Sequence, residues 1–175
     1  MSQNSIANQN RVKSALTHIS HGGFSGIHRI QRTLQGAIYR VCDENDNPLI
    51  VKVTNRFLHE RRIAELANQT FHGIKEDIVS EANIVKYLCA QHECPLSIVR
   101  YVSFFKSDHH YFFVMEKAGN QSLFEFAVKA HKFIEKGILQ LCEWRRVVRN
   151  IFTQMIEAVD FLHKHNVCHF DVSLE

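Results

Sequence analysis

The sequence predicts an α+β fold in two parts, with strands first and helices second. Three observations carry this. Five short runs rich in β-branched and aromatic residues lie between Phe24 and Ala118. A helical region with one clear amphipathic face sits inside that run of strands. After Gly119-Asn120 the pattern is helical to near the end of the chain.

The elements follow in order. Residues 1–22 are polar and without periodicity, and are expected to form a flexible tail. "GIHRIQR" is the first strand. "GAIYRVCDENDNPLIVKV" reads as a hairpin, with residues 37–41 and 49–53 on either side of the turn signal "DENDNP". "FLHERRIAELANQTF" has helical spacing. "KEDIVSEANIVKYL" has it more clearly, with Ile78, Ala82, Val85 and Leu88 on one face. Pro95 closes this region. "SIVRYVSFFKS" and "HHYFFVMEKA" are the last two strands, joined by a turn at "SDHH". "SLFEFAVKAHKFI" is a helix. A long helix over residues 144–165 then places Val148, Ile151, Phe152, Met155, Val159 and Leu162 on one stripe.

Composition narrows the function classes. The chain of 175 residues is 45% apolar with 13 Phe, enough for a substantial core. A net charge of +3 gives no field that points to nucleic acid. No apolar run reaches membrane-spanning length, and the start lacks the apolar centre of a signal peptide. Five Cys without paired spacing fit a reduced, intracellular setting, with the cytoplasm the expected location. Cys89, His92 and Cys94 are the tightest metal-like cluster, but a structural zinc needs a fourth ligand that the spacing does not offer. No metal-ligating set is therefore assigned.

Four features in sequence order carry chemistry. A turn containing Gly36 joins two strands, with Ile30 and Ile38 on either side. Lys52 lies in the middle of the apolar strand "LIVKV". Glu81 lies within an amphipathic helix. "HFD", residues 169–171, follows the long helix. Singly, each has a bland reading: a strand lysine facing water, a solvated glutamate, a turn. Their order and spacing strengthen one another.

From residue 27 to the end the chain resembles the eukaryotic-type protein kinases. "GAIY" resembles the end of the glycine-rich loop, "LIVK" the V-A-I-K strand and "SEANIVKYL" the third helix. "YFFVMEKAGNQSLFEF" resembles the fifth strand, the hinge and the next helix. "IFTQMIEAVDFLHKHNVCHFDVSLE" resembles the helix and loop that carry the catalytic aspartate. The resemblance implies a small lobe with a five-stranded antiparallel sheet and one main helix over residues 23–116. A hinge over 117–121 and the first helices of a large lobe over 122–175 would follow. It implies an ATP-dependent transfer of the γ-phosphate to a protein hydroxyl, with Ser/Thr favoured because that type is commoner.

The resemblance also implies roles for residues. Lys52 would grip nucleotide phosphates, Glu81 would hold Lys52, and Asp171 would accept or orient the substrate hydroxyl proton. His169 would anchor the loop. Ile30, Ile38 and Ile50 would contact the adenine ring, with Met115 behind it. Glu116 and Ala118 would offer backbone groups to the adenine edge, their side chains mattering little. Ser122 would stand within reach of the ribose, and Gly36 would border the phosphates.

The departures from the family pattern are specific. One register sets the three glycine positions at Gln31, Thr33 and Gly36; another puts Gly36 in the middle and Tyr39 last. Either way two glycines are replaced. Phe170 stands where many kinases carry Arg, and Ser173 where Ser/Thr kinases carry Lys. The Asn and D-F-G ligands of Mg2+ are expected beyond residue 175. The chain is therefore expected to be the front of a longer kinase and inactive alone, its helix over 144–165 covered by the rest of the large lobe or by another chain. The alternatives are a pseudokinase or regulatory binding module, and a small-molecule kinase of similar fold.

Overall fold

The computed structural model describes residues 16–17, 19–68 and 77–173. Its elements are β1 (Ser25–Arg32), β2 (Gly36–Cys42), β3 (Pro48–Asn55), α1 (Arg56–Ala67), α2 (Ile78–Cys89), β4 (Tyr101–Lys106), β5 (His110–Glu116), α3 (Leu123–Glu135) and α4 (Leu141–Lys164). The strands form one five-stranded sheet in the order β1-β2-β3-β5-β4, every neighbour antiparallel. The fold is α+β, as the sequence predicts.

Local chemistry sets the turns. Asp43 organises the β2–β3 connection: its carboxylate accepts from the backbone N–H groups of Asn45 and Asn47 and from Asn47 Nδ2. Asp46 turns the chain in the left-handed region at φ 61°. In the β4–β5 turn the Ser107 hydroxyl accepts from His110 N–H at 3.2 Å, and Ser107 N–H donates to His110 O at 2.8 Å. Both turns are short, so register is fixed and each strand keeps its alternation.

The described residues divide into two compact units. One holds residues up to Lys86 together with Arg100–Lys117; the other holds Tyr87–Val99 together with the residues from Ala118 onward. The first unit contains the sheet, with a core on each face. On one face Ala37, Tyr39, Val41, Leu49, Val51, Val53, Phe112 and Val114 are buried together. On the other, Phe113 packs with Ile78 and Ala82 of α2. Each large apolar side chain so buried contributes about 1.5–3 kcal/mol.

One expectation is corrected here. Most of the tail expected over residues 1–22 lies outside the described residues, but Ile19 does not behave as tail. It is fully buried in the first core cluster, with Leu16 and Phe24 packed against that cluster. Its polar neighbours hide this in the sequence.

In the second unit Leu88, Phe161 and Leu162 form a small core with Cys94, Ile98 and Val167 against it. α4 starts three residues before the expected Trp144, because Gln140 N–H donates to Glu143 Oε2 and closes its first turn. Its stripe is unevenly covered: Leu162 is buried, Ile151, Met155 and Val159 are half-buried, and Val148 and Phe152 are exposed. No helix among the described residues is long and apolar enough to cross a membrane.

Candidate active site

Strand alternation and register place the sheet's site residues. Ile38 pairs with Lys52 and Lys52 with Phe113; Arg40 pairs with Ile50 and Ile50 with Met115. Directly opposed residues share a face. Ile38, Ile50, Lys52 and Met115 therefore lie on the face opposite the first core cluster, the face that also carries Phe113 and α2. Ile30, from the edge strand β1, is 53% exposed.

Lys52 meets Glu81 on this face. Its Nζ donates to Glu81 Oε2 at 2.7 Å, with the two side chains 21% and 39% exposed. α2 holds the carboxylate there because Ile78 and Ala82, on either side of Glu81 in sequence, are buried against Phe113. A pair this wet adds little to stability. What it does is fix a cation, with two further N–H donors, beside the apolar side chains of Ile38, Ile50, Phe113 and Met115.

The start of α2 is also fixed. Asp77 Oδ1 accepts from the N–H groups of Val79 and Ser80, and Oδ2 from Ser80 Oγ at 2.6 Å. Asp77 is thus the helix N-cap, and its own carbonyl accepts from Glu81 N–H. Partial burial works to raise the Asp77 carboxyl. The hydrogen bonds from Ser80 and Val79, with His59 nearby, outweigh it and hold the carboxyl below the ordinary carboxylate range. Sequence reading missed this residue, although an Asp just before an apolar helical run is a usable N-cap signal.

Gly36 has a reason of its own. A Cβ there would lie 1.9 Å from the Val53 carbonyl oxygen, so β2 and β3 can close only over a glycine. The β1–β2 tip lies at Leu34 and Gln35, where Thr33 N–H donates to Gly36 O at 3.0 Å. That tip falls between the Thr33 and Gly36 positions of the first register. Tyr39, the last position of the second register, is mid-strand and buried.

Glu116 ends β5. Its side chain is engaged: Oε1 accepts from Arg100 N–H at 2.9 Å, while Glu116 N–H donates to Arg100 O at 3.0 Å. The carboxylate thus ties the end of β5 to the residue that precedes β4.

In the second unit Ala118 is exposed. Ser122 is the N-cap of α3: its hydroxyl accepts from Glu125 N–H, and Glu125 Oε2 accepts from Ser122 N–H. Asp171 is exposed, and its N–H donates to His169 Nδ1 at 3.2 Å. Phe170 between them is left-handed at φ 59° and projects into solvent. Among the described residues no group of three or more His, Cys, Asp or Glu could hold a metal ion.

A family model described as the protein kinase domain matches residues 35–175. The chain belongs to the protein kinase family. The match takes in Lys52, Glu81 and Asp171, and it begins after Ile30, Gln31 and Thr33. The five-stranded antiparallel sheet with α2 is consistent with a kinase small lobe, and α3 and α4 with the start of a kinase large lobe.

Proposed function

We propose that this kinase binds ATP through the Lys52 face of its sheet and transfers the γ-phosphate to a protein hydroxyl. The observation that carries the reading is the Lys52–Glu81 pair at 2.7 Å. Phosphoryl transfer needs positioned charge more than it needs covalent chemistry from the protein. Lys52 would bind phosphate oxygens with the donors that Glu81 leaves open. Ile38, Ile50 and Met115 offer apolar surface suited to a purine ring, with the backbone of Glu116 and Ala118 for its polar edge. Asp171 is acceptor-only when ionised, and would orient the hydroxyl proton of the substrate. Mg2+ would be held by the Asn and D-F-G ligands that the kinase resemblance implies and would neutralise charge on the phosphates.

Ser122 supports a ribose contact only as a second task, since its hydroxyl already caps α3. The exposed stripe of α4 supports a covering surface, from further kinase sequence or from another protein. None of the five cysteines is joined in a disulfide among the described residues, which supports an intracellular, reducing location.

Titration calorimetry with ATP tests the binding step. Lys52→Met should weaken ATP at least tenfold, and equal affinity would overturn the reading. In protein that also carries the Asn and D-F-G ligands of Mg2+, phosphate transfer to a protein acceptor should be present and should be lost in Asp171→Asn.

A second reading has its own observations. In the first register Gln31 and Thr33 stand where the family pattern carries glycines, and Phe170 and Ser173 stand where many kinases carry Arg and Lys. These favour a pseudokinase or regulatory binding module. In that case partner binding survives Lys52→Met, and no transfer is detected with intact Lys52, Glu81 and Asp171.

A further inference from the structure

A buried imidazole lies beside the helix that carries Glu81. His59 of α1 is only 5% exposed. Its Nε2 lies 3.5 Å from Asp77 Oδ1, and its ring meets the Tyr111 ring edge-on, with centroids 5.4 Å apart. Its Nδ1 is buried without a hydrogen-bond partner among the described residues. Burying a polar ring half-satisfied costs stability. A phenyl ring would fill the same space without that cost, so the imidazole at this place points to a task for Nε2.

Among the described residues, Asp77 links α1 to the first turn of the helix that carries Glu81. It receives His59 on one side. On the other it caps the first turn of α2, and its carbonyl accepts from Glu81 N–H. Glu81 is the residue that meets Lys52. A displacement of Asp77 therefore reaches the ion pair within one helical turn. α1 is itself anchored by the Asn55 cap, which accepts from Leu58 N–H, and by Tyr111 Oη, which lies 3.3 Å from Glu60 Oε1.

We propose that His59 is a positioning residue for the Lys52–Glu81 pair, acting through Asp77. His59 Nε2 fixes the Asp77 carboxylate, Asp77 fixes the first turn of α2, and that turn sets where the Glu81 carboxylate stands. The meaning of the pair as a phosphate-gripping device rests on the kinase reading above. The placement itself does not.

The test reads the pair without nucleotide. Full-length protein is treated with an amine-directed ester, and the labelling rate of Lys52 is followed peptide by peptide by mass spectrometry. Glu81→Gln sets the rate for a broken pair. His59→Phe, which keeps a ring against Tyr111, should raise Lys52 labelling by at least half of the increase seen in Glu81→Gln. His59→Gln, whose amide nitrogen reaches where Nε2 stood, should restore the wild-type rate. A wild-type rate in His59→Phe overturns the proposal, as does a rise that His59→Gln does not reverse.

If His59→Phe does not fold, Asp77→Ser takes its place. Serine caps a helix as well as aspartate but is too short to reach His59. Faster Lys52 labelling in Asp77→Ser supports the proposal, and an unchanged rate shows that the cap alone suffices and overturns it. Failure of the wild-type protein to bind ATP would overturn the kinase reading and leave this result standing.

Discussion

Glu81 and Lys52 stand 29 residues apart in the chain, and their charged ends meet at 2.7 Å. The strand brings the cation and the helix brings the anion, and each element is held by apolar contacts that do not involve the pair. The charges can therefore be exchanged without dismantling the fold.

Glu81→Gln should cost less than about 1 kcal/mol in urea unfolding, because the pair is part-exposed and solvent screens it. ATP affinity, measured by calorimetry, should fall markedly in the same variant. A large stability loss with unchanged affinity would make the pair a structural brace.

Gly36→Ala should destabilise by about 1–3 kcal/mol, the range for forcing extra volume into a packed site. Its Cβ would overlap the Val53 carbonyl. Gly119→Ala is the control, since the nearest atom to its added Cβ is Gln121 O at 3.7 Å. Urea midpoints should separate the two variants clearly.

Asp77 predicts an acid-sensitive step. Its folded carboxyl is held below the ordinary carboxylate range. The linked stability is therefore present above the unfolded-state value, near pH 4. It is lost as pH falls through the lower folded-state value. Asp77→Asn retains a cap without titrating, so its urea midpoint should fall less than that of wild type between neutral pH and about pH 3. Parallel pH profiles would remove Asp77 from the acid transition.

Ser122→Ala should cost about 1 kcal/mol through loss of the α3 cap, and Ser122→Asp should recover most of it. Both are read by thermal or urea unfolding. If Ser122→Ala leaves stability unchanged, the capping box contributes nothing measurable.

Much of the fold was legible because its signals are local. "DENDNP" announces a turn through residues whose side chains hydrogen-bond the backbone, and Asp43 does so. Ile78, Ala82 and Leu88 declare a helix face by spacing alone, and all three are buried. Lys52 is conspicuous as a charge inside an apolar strand. Ile19 was not legible, because no periodic pattern surrounds it. The engagement of Glu116 with Arg100, and of His59 with Asp77, depends on which loops come together, and neither pair has a spacing rule. The stripe of α4 was legible as apolar, yet spacing says nothing of how much of it is covered, and Val148 and Phe152 on it are exposed.

The contact between the Gly36 position and the Val53 carbonyl bears on how this chain can be compared with other kinases. A glycine held by the closeness of two backbones persists for mechanical reasons, whatever happens to catalysis. Were the protein to drift away from nucleotide use, Gly36 would be among the last of the loop residues to change. Its presence is thus a poor marker of activity, and the exposed Gln31 and half-buried Thr33 are the better place to look for the history of this site.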